Sequence, residues 1–580
     1  MTQIPHEKKN APLGRFSLLD LVPITVSALF LAGWLTTSHI SPWVSWHAEV
    51  PFFFAVLLAA WVAVAKAIFI APNSRIAFPI SVWPFLFLFL VGLLQWAAGS
   101  IVFFGDLFVF GLYLSLCVIS ISLGYGLMQP SLPDVSARAG LPYSVLLALT
   151  LIVGGVASVA VALAQVLEVW KTASWILPIP GVRRPGANLG QPNHLSTLIV
   201  MALASAIFLH GSRWLGNRVL LLLMVFLTAG LAVTESRTGA LSFIALIGWW
   251  CWKQPQITPK ASRLWVAPIV ALFAAMFLLW PAALAMVRVS SGALGVRLGD
   301  AIKEGRMDVW PQLIAAALEK PWWGWGIHQT AEAHNAVAHL YQKSLPFTYS
   351  HNIVIDLILW VGLPITCLLM FVAGVWALRR MVVVQSPLSW FGFAVLLPLA
   401  VHSMLEFPFS YSYLLVPAML GVGAMERALD QGKKFQLGLK PASVTLLIAT
   451  TFSAWSVWEY VQVEKDFQVA RFELLRIGQV PEEHRPPKIR LLTQLDTLTA
   501  AARIEPGPDL SLNEMLTLKR AALGYPWSGT QYRYALALAL KGEAAEAERQ
   551  LQVIQVLHGE KISLKFRAEI EKKLKISVIH

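Results

Sequence analysis

Charge is what this 580-residue chain has least of. Only 13% of its residues are Asp, Glu, Lys or Arg, against about 25% in a soluble domain. Hydrophobic residues make up 57% and the mean hydropathy is +0.63, so most of the chain must face lipid. Cysteine is scarce as well. Cys117, Cys251 and Cys367 all lie inside or at the end of apolar runs, with no CxxC pair. Neither a disulfide framework nor a zinc site is indicated, and no metal is expected. There is no phosphate-binding P-loop, so ATP does not energise the process here. Ionisable residues are nearly absent from the middle of the apolar stretches. Asp20, Lys66, Asp106, Glu168 and Asp356 sit near span ends or alone, a poor pattern for an ion channel or proton pump. The formal charge of +13 suggests a nucleic-acid partner at first sight. Much of it instead lies at the edges of apolar segments, where it sets membrane orientation, so no nucleic acid is expected.

What is present is a series of apolar stretches, each about long enough to cross a bilayer core of roughly 30 Å. Thirteen spans are expected, near 17–39, 52–71, 78–97, 101–124, 143–168, 194–210, 219–234, 239–252, 264–286, 351–377, 389–405, 411–427 and 441–459. The fold class is therefore all-α, a polytopic membrane protein. Residues 1–286 form an N-terminal bundle, 287–350 a large external loop, 351–459 further spans, and 460–580 a helical tail. The polar N-terminus, with Lys8, Lys9 and Arg15, precedes an apolar run too long for a signal-peptide core, which reads as an uncleaved first span. With that terminus cytoplasmic, it and the inner loops together carry 17 Lys and Arg, whereas the short outer loops carry only Lys171, Arg183, Arg184 and Arg237. The positive-inside rule then fixes the orientation. In the tail, Gln531–Gly559 has helical spacing around Gly542 and reads as a hairpin similar to a tetratricopeptide unit; a plain helical domain is the simpler alternative.

The outer face collects polar residues that are costly near a membrane. Arg183-Arg184-Pro-Gly-Ala-Asn188-Leu-Gly190-Gln191-Pro192-Asn193-His194 precedes the sixth span. Its two guanidinium forks match phosphate oxygens, and its Gly and Pro residues set a turn that aims Gln191 and Asn193 inward; an ordinary turn with a helix cap at Asn193 is the alternative. Glu235-Ser236-Arg237-Thr238-Gly239 fills a very short outer loop, where Arg237 either pairs with Glu235 or meets a lipid-linked anion. Asp300–Lys320 has helical periodicity with Arg306 and Trp310 four apart, on one face. Pro321-Trp322-Trp323-Gly324-Trp325-Gly326 then ends that helix as an interfacial belt or a platform for sugar rings. Tyr349-Ser350-His351-Asn352 opens the tenth span, placing a histidine where it can act as base, acid or donor. Neighbouring His328, His334 and His339 are given no role. Finally, His402-Ser-Met-Leu-Glu406-Phe407-Pro408-Phe-Ser-Tyr411-Ser-Tyr413 forms a turn between two spans. His402 and Glu406 have the spacing of a metal pair, but no further ligand cluster accompanies them. A carboxylate that neutralises an arginine or orients a hydroxyl fits better. Together these residues suit an anionic, membrane-embedded substrate with a hydroxyl-rich head.

In order, spacing and sidedness, these motifs over about residues 15–430 resemble the O-antigen ligase superfamily, which includes O-antigen ligases, O-antigen polymerases and PglL-type protein O-oligosaccharyltransferases. The Gly-Gln-Pro-Asn turn, the Glu406-Phe407-Pro408 motif with trailing tyrosines and the helical tail are most similar to the last of these. The family often has Tyr where this chain has Phe407, which leaves open which of Tyr411 and Tyr413, if either, supplies the aromatic hydroxyl. The resemblance implies a metal-independent, cofactor-free, inverting glycosyltransferase in a bacterial inner membrane, with its active site facing the periplasm. Its donor would be an undecaprenyl-pyrophosphate-linked glycan and its acceptor a Ser or Thr hydroxyl of a periplasmic protein such as a pilin. Arg237 and Arg306, assisted by Arg183 or Arg184, would hold the pyrophosphate. His351 would take the acceptor proton or position the acceptor, and Gln191 and Asn193 would orient the donor. Glu406, Tyr411 and Tyr413 complete the substrate-binding set. Rival readings are ligation to lipid A–core, polymerisation of O-antigen, a lipid-glycan transporter, which needs polar groups through the membrane depth, and a membrane scaffold, which leaves the outward arginines unexplained.

Overall fold

The computed structural model describes residues 21–128, 141–170, 172–178, 184–258, 266–287, 306–429, 434–475 and 484–579, without the side chains of residues 281, 283–287, 306–307 and 576–579. Among these residues are 20 α-helices. They are α1 (Val22–Leu35), α2 (Trp46–Ile70), α3 (Trp83–Ala97), α4 (Phe104–Leu127), α5 (Tyr143–Val166), α6 (Pro192–Gly211), α7 (Asn217–Val233), α8 (Arg237–Ile257) and α9 (Val266–Val287). There follow α10 (Arg306–Glu319), α11 (Thr330–Ala338), α12 (Ile353–Val383), α13 (Pro387–Ser403), α14 (Ser412–Leu429) and α15 (Leu439–Leu475). The tail adds α16 (Thr493–Arg503), α17 (Leu512–Gly524), α18 (Ser528–Leu540), α19 (Ala544–His558) and α20 (Glu560–Ile579). Every apolar stretch expected from the sequence contains a helix. Among the described residues, six helical segments are long and apolar enough to cross a membrane: Trp46–Ile70, Ile80–Ala97, Phe104–Leu127, Tyr143–Val166, Pro192–Gly211 and Ile353–Val383. Four shorter apolar helices accompany them, and the chain is a multi-pass membrane protein.

The all-α expectation needs one amendment. β1 (Arg75–Pro79) and β2 (Lys434–Gly438) pair antiparallel, with Ala77 opposite Gln436. Alternating residues in two short connections at the same end of the bundle permit this ribbon, whose pairing local composition does not announce.

α6 is the axis of the bundle. Every residue from Asn193 to Leu209 is buried, and α5, α7, α8 and α13 pack around it. In lipid, helices gain little from hiding apolar surface from one another, so close contact through small side chains does more. Ala202, Ala204, Ser205 and Ala206 supply it on α6. Pro192 opens the helix at a position where the missing N–H costs nothing, and this fixes where the Gln191-Pro192-Asn193 turn faces.

α12 is interrupted at Gly362, whose φ of 79° and ψ of 170° lie outside helical space. A break within a membrane helix strands backbone polar groups, and these need partners inside the protein. The Pro321–Gly326 segment provides them. Trp325 N donates to Leu359 O at 2.7 Å, Gly326 N to Trp360 O at 3.2 Å, and Leu363 N to Pro321 O at 2.7 Å. Gln95 Nε2 adds bonds to Trp323 O and Trp360 O at 3.0 and 2.7 Å. The approach is so close that a Cβ on Gly324 would lie 2.6 Å from the Trp360 carbonyl, and one on Gly362 2.6 Å from that of Trp322. The Trp-rich motif thus splices a helix break. Trp325 is buried with Lys320 Nζ 3.8 Å from its ring centre, while Trp322 is 79% exposed.

The 37 residues of α15 span roughly 55 Å, more than a bilayer core, so the helix carries the chain on into the tail. There Glu459 accepts from the amides of Arg490, Leu491 and Leu492 at 2.8–3.1 Å. α18 and α19 form an antiparallel hairpin whose turn places Gly542 at φ 83°, the helix–turn–helix expected there. The tail packs back on the bundle. Gly105 N donates to Thr493 Oγ1 at 3.0 Å, and Ser344 N to Val556 O at 2.9 Å.

Gly362→Ala is expected to add on the order of 1–3 kcal/mol of backbone strain together with the clash at Trp322. In detergent the variant should unfold several degrees below the parent. An unchanged unfolding temperature would refute the splice.

Candidate functional site

The site begins at the turn before α6. Asn188 anchors it: Nδ2 donates to Leu35 O and Trp175 O at 2.7 and 2.9 Å, and Oδ1 accepts from Leu177 N at 3.0 Å. This leaves the next residues free to face the adjoining connections. Gln191 Nε2 donates to Glu406 Oε2 at 2.8 Å, and Asn193 Nδ2 to Glu406 Oε1 at 2.8 Å. Asn193 Oδ1 accepts from Ser236 Oγ at 2.7 Å, and Ser236 caps α8 by accepting from Gly239 N at 2.9 Å. Arg237, next in sequence, is the exposed first residue of α8. Arg184 closes the group, its guanidinium donating to Glu235 O at 2.8 Å.

His351 joins the same assembly. Its successor Asn352 caps α12 by accepting from Val354 N and Ile355 N at 2.9 and 3.3 Å, and its Nδ2 donates to Met404 O at 3.0 Å, two residues before Glu406. Its predecessor Ser350 donates its amide to Asp356 Oδ1 at 2.8 Å. Thr330 Oγ1 donates to the same oxygen at 3.2 Å. Trp310 Nε1 of α10 donates to Ser350 O at 2.8 Å, so the helix that Arg306 opens is tied to the histidine turn. The imidazole of His351 lies 5.0 Å from the Phe407 ring and 4.8 Å from that of Phe347, centre to centre. His351 and Glu235 both hold positive φ, 61° and 50°. Such strain persists only where surrounding bonds over-determine it and is concentrated at functional sites.

A third layer lies beneath. His194 Nδ1 is 2.8 Å from Tyr413 Oη, and His402 Nδ1 is 2.8 Å from Thr197 Oγ1. His194, His402 and Glu406 are buried with one ligand-type atom of each within 4.8 Å of the others, so these three residues are the group among those described that can hold a metal ion. The sequence pairs His402 with Glu406 but gives no hint of His194, which comes from a separate helix. The donor set fits a cation, because each imidazole has its Nδ1 engaged and Glu406 is held by two amides, as outer partners hold metal ligands. His402 Nε2, 3.8 Å from Glu406 Oε2, is buried and has no hydrogen-bond partner among the described residues.

Tyr411 stands nearer the surface, its ring 4.3 Å from that of His194. Burial raises the phenols of Tyr411 and Tyr349 above their ordinary range, so both remain protonated donors at neutral pH. His328, expected to have no role, stacks on Trp360 at 5.1 Å, and burial pushes its imidazole down to about 4.

Arg184, Gln191, Asn193, Arg237, His351, Glu406, Tyr411 and Tyr413 therefore belong to connected segments at one end of the bundle. Arg183 and the side chain of Arg306 lie outside the described residues. Sequence reasoning missed Ser236, His194 and Asp356 as members of this network. The position of Asp356 one turn into the span was the available signal for the last.

Comparison with known proteins follows the same segments. Residues 185–210 match the family described as protein glycosylation ligase, 220–370 the O-antigen ligase family, and 390–569 the C-terminal region of virulence factor membrane-bound polymerase. A general O-oligosaccharyltransferase of Acinetobacter baylyi (strain ATCC 33305 / BD413 / ADP1) is 22% identical over 565 residues, covering 95% of this chain and 94% of the relative. A ComP-specific O-oligosaccharyltransferase of the same organism is 24% identical over 497 residues, 84% and 87% of the two chains. A helical membrane bundle with this cluster, matched in order by these families, is a membrane-embedded glycosyltransferase. Within that class the chain is similar, segment by segment, to the PglL-type O-antigen ligase superfamily.

Glu406→Gln puts an amide donor where two amide donors already converge, and each unmatched buried group costs about 1–3 kcal/mol. The variant is expected to accumulate in membranes while glycan transfer falls at least about tenfold. Transfer at the parental rate would show that the carboxylate does not organise the site.

Proposed function

We propose that this enzyme moves an oligosaccharide from undecaprenyl pyrophosphate to a Ser or Thr hydroxyl of periplasmic proteins, pilin-like chains among them. The observation that carries the reading is the hydrogen-bonded continuity from Arg184 through Asn193 and Glu406 to the His351 turn. It supports one reaction centre at which phosphate-binding cations meet a proton acceptor. The two relatives named for O-oligosaccharyl transfer support a protein acceptor. In this reading all thirteen apolar helices cross a bacterial inner membrane, the N-terminus is cytoplasmic, and the cluster faces the periplasm. The loop around α10 and α11 and the tail from residue 460 form a periplasmic layer, and the α18–α19 hairpin serves as a tetratricopeptide-like unit.

Arg237 and Arg306, with Arg183 or Arg184, neutralise the pyrophosphate and make it a good leaving group. The acceptor hydroxyl oxygen attacks the anomeric carbon as the bond to the pyrophosphate breaks. The hydroxyl proton passes to His351, which alternatively only positions the acceptor, and undecaprenyl pyrophosphate departs with the bonding electrons. A single displacement inverts the anomeric centre. Gln191 and Tyr411 face the donor, whereas Asn193, Glu406 and Tyr413, with their polar atoms bonded within the protein, act as positioning residues. The activated donor makes a metal or nucleotide unnecessary.

The test is transfer in cells that supply an undecaprenyl-linked glycan, a pilin and lipid A–core, with protein and lipid fractions blotted by a glycan-specific lectin. Label on the pilin is expected, lost in His351→Ala and in Arg306→Ala without loss of membrane protein. Label on lipid alone would replace the acceptor, an outcome the O-antigen ligase match makes concrete. Purified enzyme should also retain its rate after treatment with a chelator. Loss on chelation with recovery on adding zinc would instead assign His194, His402 and Glu406 as metal ligands.

A further inference from the structure

A cavity of about 740 Å³ opens beside the histidine turn, within the roughly 300–1,000 Å³ of small-molecule pockets. Its walls come from the outer ends of the bundle and from the tail, which contributes Gln494, Leu495 and Tyr525. Aromatic rings dominate the lining, among them Trp43, Phe110, Tyr349, Trp360, Phe407 and Tyr411. Among the described residues no Lys or Arg lines it, a lining that suits an uncharged ligand better than a pyrophosphate, which needs cations. Nor does it suit a prenyl chain. Gln191, Asp106 and Gln494 border it with polar side chains. Covering such groups with hydrocarbon leaves them unsatisfied, at a cost of about 1–3 kcal/mol each. A neutral sugar answers both features. Its C–H faces pack on aromatic rings, and its hydroxyls both donate to and accept from amide and carboxylate groups.

The cavity is also placed to serve the reaction. Tyr349 and Ile353, two residues to either side of His351, line it, as does Phe407, whose ring touches that of His351. We propose that this cavity binds neutral sugar units of the donor glycan, with the C-terminal tail as one wall through Gln494 and Tyr525. The proposal rests on the glycosyltransferase reading above. It makes the tail part of the donor site, so that donor selection depends on residues more than 130 positions beyond His351.

The full-length enzyme in lipid nanodiscs tests this with undecaprenyl pyrophosphate bearing a short N-acetylhexosamine oligosaccharide, and with sugar-free undecaprenyl pyrophosphate as inhibitor. Gln494→Ala and Tyr525→Ala should each raise the KM for the donor, Gln494→Ala by about tenfold. Acceptor KM, unfolding temperature and the inhibition constant of the sugar-free lipid should stay as in the parent. A rise confined to the acceptor KM would give the cavity to the acceptor polypeptide. Weaker inhibition by the sugar-free lipid would give it to the lipid pyrophosphate, and no change in any constant would remove the tail from the site; each overturns the proposal. An unaltered parent that labels no protein would sink the functional reading instead, before any variant is compared.

Discussion

A carboxylate buried at the head of the central helix has to be answered by donors, and much of this site follows from how Glu406 is answered. Gln191 and Asn193 each give it an amide hydrogen bond at 2.8 Å, and the positive end of α6 favours a negative charge nearby. Residues on either side of Pro192 thus lock the turn between α13 and α14 onto the start of α6. Asn193 uses its remaining oxygen to hold Ser236, which caps α8 and so sets where Arg237 begins that helix. Two residues before Glu406, the carbonyl of Met404 takes the amide of Asn352 and brings in the histidine turn. Directly, through Asn193 and through the adjoining backbone, Glu406 connects four segments that are far apart in sequence.

Around this centre the backbone is irregular where the chemistry is proposed and regular elsewhere. His351 and Glu235 occupy left-handed conformations, and neighbouring bonds from Ser350 to Asp356 and from Arg184 to Glu235 hold them there. The break in α12 is possible because the Pro321–Gly326 segment meets its stranded groups. The same segment leads into α11, on which the tail rests through Asn335 and Gln550. Loop, broken helix and tail therefore form one continuous support for the histidine turn. The tail is both a covering layer and, through α16, a wall of the adjoining cavity.

Much of this was legible in the sequence. Apolar length located each helix, because hydrocarbon thickness sets the length of a span. That Arg184, Arg237, His351 and Glu406 share one end of the bundle was legible from the alternation of spans. Other features depend on partners that composition does not reveal. The pairing of Glu406 with two amides, of His194 with Tyr413, and of Asp356 with Ser350 is long-range geometry. The Trp-rich motif suggested side-chain work at the interface or on sugars, yet its principal contribution is through backbone groups, to which side-chain identity is nearly blind. The ribbon of β1 and β2 escaped for a related reason, since five-residue strands leave no periodicity long enough to separate from a loop.

The central claim is that Glu406 holds the four segments as a unit. Hydrogen–deuterium exchange of the nanodisc-embedded enzyme, parent against Glu406→Ala, measures this directly. The account predicts that residues 184–193, 234–239, 349–356 and 402–413 lose protection together, while the core of α6 stays protected. Loss confined to 402–413 would contradict it, showing that the segments stand independently of the carboxylate that joins them.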